Sequence, residues 1–123
     1  MADTKKVLTL AEKILAQNDL PQREVTVALW KNQKFIVKGM TGKERFDLIK
    51  KCSDSDGEID GEKMTALSVA FCVKNPDTGD RVFTDAQSVE LMGKSAAALQ
   101  DLMDATNSLN GLGEMATEDI EKN

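Results

Sequence analysis

The chain has 123 residues, 41% of them hydrophobic and 30% charged, with 16 basic against 21 acidic side chains and neither histidine nor tyrosine. A chain of this length buries one core covering roughly two-thirds of its unfolded surface, so a single domain needs no disulfide or metal to hold it together. Without histidine there is no imidazole base, no Ser-His or Cys-His nucleophile pair and no His metal ligand.

The remaining composition narrows the chemistry further. No Gly-rich phosphate loop occurs, and no pair of carboxylates is placed by the sequence in an apolar pocket, where a raised pKa would serve acid or base catalysis. The expectation is a protein that is no enzyme and carries no cofactor and no metal. A net charge of -5 argues against nucleic acid, whose binding rests on Lys and Arg displacing counterions. Apolar runs fall far short of the roughly 20 residues that cross a bilayer, and no signal-peptide core follows Met1 to Lys6. The expected partner is therefore protein, with no membrane involved. Cys72 lies in the apolar run Val69-Ala70-Phe71-Cys72-Val73, where a buried reduced thiol is expected, and Cys52 is its only possible disulfide partner within the chain.

In chain order, Thr9-Leu10-Ala11-Glu12 fits the capping box S/T-x-x-E and opens a helix over about 10–18. Leu10, Ala11, Ile14 and Leu15 share a face, and Pro21 disfavours helix at Leu20. The period then changes to two. Val25, Val27 and Leu29 alternate through Trp30, Phe35 and Val37 alternate after Lys31-Asn32-Gln33, and the pair reads as a β-hairpin over about 24–40.

Thr41-Gly42-Lys43-Glu44 is a second capping box, opening a helix over 42–52. Ser53 to Gly61 is a polar, acidic loop expected to be mobile. Met64, Leu67, Ala70 and Phe71 favour a helix over 61–74, although Val69, Phe71 and Val73 also alternate as a strand would. Asn75-Pro76-Asp77-Thr78-Gly79-Asp80 is a tight reversal, and Arg81-Val82-Phe83 a brief extended piece. Thr84-Asp85-Ala86-Gln87 is a third capping box, leading a helix over 85–92 that stops at Gly93. Ser95 restarts it over 95–110, with Leu99, Leu102, Met103, Thr106 and Leu109 on one face and Asn110-Gly111 as the stop. The polar tail 114–123 is expected to be frayed. The fold class is α+β: one mostly helical domain over 1–113 with a β-hairpin in its N-terminal half.

Two features invite binding hypotheses. Asp54-Ser55-Asp56-Gly57-Glu58-Ile59-Asp60 resembles the middle of an EF-hand loop, but Cys52 and Lys63 then occupy its two ends, where carboxylates should bind calcium. Charge is also segregated. Lys31 to Lys51 holds seven bases and two acids, a net of +5, whereas Asp54 to Glu62 holds five acids and no base. Such blocks pair internally or meet head to tail in a homo-oligomer, which salt would weaken.

The order of motifs resembles the tail assembly chaperones of long-tailed bacteriophages. The matching residues are Leu10-Ala11 with Ile14-Leu15, Asp19-Leu20-Pro21, Val25-Thr26-Val27 with Trp30, and Thr41-Gly42-Lys43-Glu44-Arg45-Phe46. Gly79-Asp80-Arg81-Val82-Phe83-Thr84-Asp85, Leu91-Met92-Gly93-Lys94-Ser95 and Leu109-Asn110-Gly111 follow in the same order. Ala28-Leu29 and Lys31-Asn32-Gln33 depart from the pattern, which has Pro-Glu before the Trp and a Gly-containing turn after it.

The resemblance implies a non-enzymatic protein of the infected host's bacterial cytoplasm, absent from the mature virion. It would bind the tape measure protein and keep it soluble until tail tube protein polymerises around it. A programmed frameshift yielding a longer product that recruits tail tube protein is a family trait, and Glu121-Lys122-Asn123 is encodable with a slippery run of A. The candidate interaction residues are Leu99, Leu102, Met103 and Thr106, with Trp30 and Phe35 on the hairpin second. A small acidic calcium-responsive or general adaptor, or a minor structural virion protein, is the rival expectation.

Overall fold

All three expected Thr-to-Glu or Thr-to-Gln pairs make their reciprocal bonds, two of them as capping boxes at a helix start, whereas the helix after the third starts from Ala86 with no side-chain cap bond. In the computed structural model, which describes residues 7–111, Thr9 and Glu12 exchange side-chain-to-backbone hydrogen bonds of 2.9 and 3.1 Å at the start of α1 (Leu10–Leu15). Thr41 and Glu44 do the same at 2.8 and 3.1 Å before α2 (Gly42–Cys52). Thr84 and Gln87 exchange bonds of 2.9 and 3.2 Å ahead of α4 (Gln87–Leu91). These pairs satisfy backbone N–H groups that a helix start leaves unbonded, which is why three-residue spacing alone located them. Asp60 caps α3 (Gly61–Cys72) and Ser95 caps α5 (Ala96–Leu109) through single bonds of 3.1 and 3.4 Å.

The sheet has three antiparallel strands in the order β1 (Gln22–Val27), β2 (Gln33–Lys38) and β3 (Val73–Lys74). Val25 stands opposite Phe35, and Val37 opposite both Arg23 and Val73. Helix α5 lies against β1 and β2, α3 packs on α5 and α4, and α2 packs on α3. The main core sits between sheet and helices. Val27, Val37, Val69, Cys72, Val73 and Leu102 are all within 2% of complete burial there, and removing a side chain the size of Leu102 from water stabilises the fold by roughly 1.5–3 kcal/mol. A smaller cluster of Leu48, Cys52 and Leu67 holds α2 to α3.

Several boundaries differ from the sequence expectation. The first strand stops at Val27. Ala28–Trp30 forms a 3₁₀ turn, and Lys31 and Asn32 follow in the left-handed region at φ 56° and 58°. Leu29 therefore leaves the face it was expected to share with Val25 and Val27, and it is 63% exposed. Two-residue periodicity over so short a window did not distinguish a strand from a turn with an exposed apolar residue. The helix expected over 61–74 ends at Cys72, and Val73–Lys74 pairs with β2 as a third strand. The helical reading of Val69 to Val73 therefore holds up to Cys72, and of the residues that alternate only Val73 is in a strand.

The first helix ends at Leu15 rather than 18, and the fourth is confined to Gln87–Leu91. Both cysteines are free and buried. The acidic loop folds into a closed turn: Asp54 Oδ1 accepts the N–H groups of Asp56 and Glu58 at 2.9 Å each, and Ser53 bridges to Ile59. The expectation for the tail 114–123 concerns residues outside those described.

Candidate protein-interaction surface

Helix α1 is the most open element. No residue of it is buried, and Leu10, Ile14 and Leu15 are 73%, 56% and 84% exposed. Val7 and Leu8, just ahead of it, are exposed too. Six residues with a capping box make a marginal helix in isolation, and α1 buries none of its residues. Five exposed large apolar side chains within nine residues are the kind of surface that partners or other copies cover.

The hairpin end forms a second apolar feature. Trp30 is half-buried and meets the buried Phe35 edge-on, with ring centroids 6.0 Å apart and planes at 82°. Such a pair adds about 0.5–1.5 kcal/mol beyond its area. Beside it, Trp30, Phe83 and Leu91 floor a groove of about 440 Å³ whose rim carries Gln87, Glu90 and Lys94. Phe83 and Leu91 lie some fifty to sixty residues from Trp30 in the chain, so no local pattern could join them.

The expected face on α5 is turned the other way. Leu99, Leu102 and Thr106 are 4%, 0% and 2% exposed and pack into the core. Met103 is half-buried at the edge of that core. The amphipathic stripe was real, but sheet and α3 take it up. Thr106 Oγ1 is buried with no hydrogen-bond partner.

Titratable groups are arranged structurally. Arg81 and Lys51 hold the Asp85 carboxyl below its ordinary 3.8, through contacts of 2.8 and 3.1 Å. Burial pushes both thiols above their ordinary 9.0. For Lys74, burial lowers the pKa from 10.5, with repulsion from Arg81 and Lys38 acting the same way. Among the described residues no three Cys, Asp or Glu side chains converge as a metal site. Asp54 and Asp60 of the acidic loop bond instead to backbone N–H groups of the loop and of α3.

Among the described residues no helix is long and apolar enough to cross a membrane. No family model, curated protein or solved structure matches the chain.

Proposed function

We propose that this chain is a non-enzymatic tail assembly chaperone of a long-tailed bacteriophage, acting in the host cytoplasm on the tape measure protein. The observation that supports this reading is the uncovered apolar face of α1, Leu10, Ile14 and Leu15 with Val7 and Leu8 beside it. The motif order running from Leu10 to Gly111 supplies the family. A tape measure protein is a chain of long amphipathic helices that aggregate when unpartnered. An exposed apolar face on a small acidic domain covers such a helix by side-to-side packing, while the net charge of -5 keeps the complex soluble. The groove beside Trp30 gives a second contact on the same principle. Recruitment of tail tube protein belongs to a longer frameshifted product in this scheme.

Coexpression with a candidate tape measure protein, a long helical chain, tests the reading. The partner is expected to be soluble with the wild-type chain and to precipitate without it. Replacing Leu10 and Ile14 together by Asp should return the partner to the insoluble fraction while the variant itself stays folded, because neither side chain is buried. A partner equally soluble when expressed alone would remove the proposal.

A further inference from the structure

Two uncovered apolar features sit at opposite ends of one strand. Helix α1 joins the sheet at the Pro21 end of β1 through residues 16–21, whereas the groove floored by Trp30, Phe83 and Leu91 begins just past Val27 at the other end. The strand between them has six residues and spans roughly 20 Å. On α1, Leu10, Ile14 and Leu15 share one side at i, i+4 and i+5, all exposed. A helix presenting side chains one turn apart and a groove with an apolar floor are the two halves of helix-in-groove packing.

Their charges match as well. The groove rim offers one acid, Glu90, and one base, Lys94, and α1 carries one of each, Glu12 and Lys13. One of the two directions of the helix in the groove sets each charge against its opposite. Lys13 and Glu90 are exposed, and neither has an ion-pair partner among the described residues.

The sheet leaves room for a second copy alongside. β1 is an outer strand, and the Gly39 N–H donates to the Pro21 carbonyl at 2.9 Å in continuation of the β1–β2 register. Alternation along an antiparallel ladder then turns the N–H and C=O groups of Gln22, Glu24 and Thr26 away from β2. Among the described residues no other backbone group bonds to them. A second copy lying antiparallel beside this edge brings its own α1 to the Trp30 end and its own groove to the α1 end.

We infer that two copies of this chain associate reciprocally, α1 of each lying in the Trp30–Phe83–Leu91 groove of the other, with Lys13 against Glu90. Each chain contributes nine residues from Val7 to Leu15 and the six around its groove. That is fewer than the roughly 20–30 a side of a standard interface, so the dimer exchanges with monomer at concentrations on the order of micromolar. Reciprocity doubles the contact and closes the assembly at two. The same α1 face is the one assigned to the tape measure protein. A regulatory consequence, that self-association covers the face until a client displaces the second copy, rests on the chaperone reading, whereas the dimer does not.

Trp30 is the only tryptophan in the chain and lines the groove, so its emission reports occupancy directly. Sedimentation and Trp30 fluorescence are followed together on the full chain, without client, over about 1–500 µM. Mass is expected to pass from monomer to dimer while the emission moves to shorter wavelength in step. L10D/I14D should stay monomeric throughout, with the emission of dilute wild type and an unchanged circular dichroism spectrum, since neither side chain is buried. E90K should weaken dimerisation by about 2- to 30-fold, the worth of two exposed ion pairs, and K13E in the E90K background should restore it. A monomer at every concentration overturns the inference. So does a dimer that forms with constant Trp30 emission, one that L10D/I14D or E90K leaves unchanged, or growth beyond two copies. A client kept soluble by a chain that never dimerises would leave the chaperone reading standing alone, and a dimer that leaves the client insoluble would do the reverse.

Discussion

Asn110 holds together three parts of the chain. Its Oδ1 accepts from Met40 N, its Nδ2 donates to the Thr106 carbonyl at 2.8 Å, and the same amide lies 3.7 Å from Cys72 Sγ. The end of α5, the β2–α2 junction and the end of α3 therefore meet at one amide. Read along the chain, Asn110-Gly111 signals only a helix stop, which it is. Its second role was hidden because Met40 is 70 residues away, and hydrogen-bond partners at that separation leave no local pattern. Asn110→Ala leaves a partly buried N–H without an acceptor, a loss of about 2 kcal/mol, of the size expected for an unsatisfied donor plus the missing bonds. Urea unfolding of the variant should show that drop in midpoint stability, and an unchanged midpoint would mean that water replaces the amide.

At the scale of elements, legibility followed how local each cause was. Capping boxes need four consecutive residues, and those at Thr9 and Thr41 were readable as helix starts, while the pair at Thr84 makes its bonds just ahead of a helix that begins later than expected. The hairpin was readable as a hairpin from Val25, Val27, Phe35 and Val37, but its turn was not, because Leu29 continued the alternation by coincidence. The two-residue strand β3 was too short to carry a period at all; it exists because β2 has an edge to pair. The turn that was misread is also where backbone strain is held, with Lys31 at φ 56° and ψ 39°. A residue with a Cβ in that region costs about 1–2 kcal/mol, against roughly 0.5–1 kcal/mol for the extra freedom of glycine in the unfolded chain. Lys31→Gly is thus expected to stabilise by about 0.5 kcal/mol, and Lys31→Val, stiff at Cβ, to destabilise. Equal stability of the Gly and Val variants in urea would show that the turn relaxes out of the left-handed region.

Across the whole molecule, the candidate surface was the part least visible beforehand. An apolar stripe at helical spacing looks the same whether it faces a core or a partner; Leu99 and Leu102 went inward and Leu10 and Ile14 stayed out, a choice made by where the sheet and α3 lie. Charge behaves similarly. The basic run up to Lys51 does not pair with the acidic loop that follows it; Lys51 reaches instead to Asp85, 34 residues on, which Arg81 also holds. That carboxylate links α2 to the turn before α4, and its native pKa is lowered first by Arg81 and then by Lys51. Because the native value lies below the unfolded one of 3.8, the native state favours the ionised form. The stabilisation is fully present above pH 3.8 and fades as pH falls through the lower native value. Asp85→Asn should therefore be less stable than wild type near neutral pH, by a small amount since the side chain is 45% exposed. The gap should close as unfolding is measured at successively lower pH below 3.8. A gap that stays constant down to the acid transition would assign the loss to packing or to neutral hydrogen bonds, and would remove Asp85 as the charge that joins these two parts of the fold.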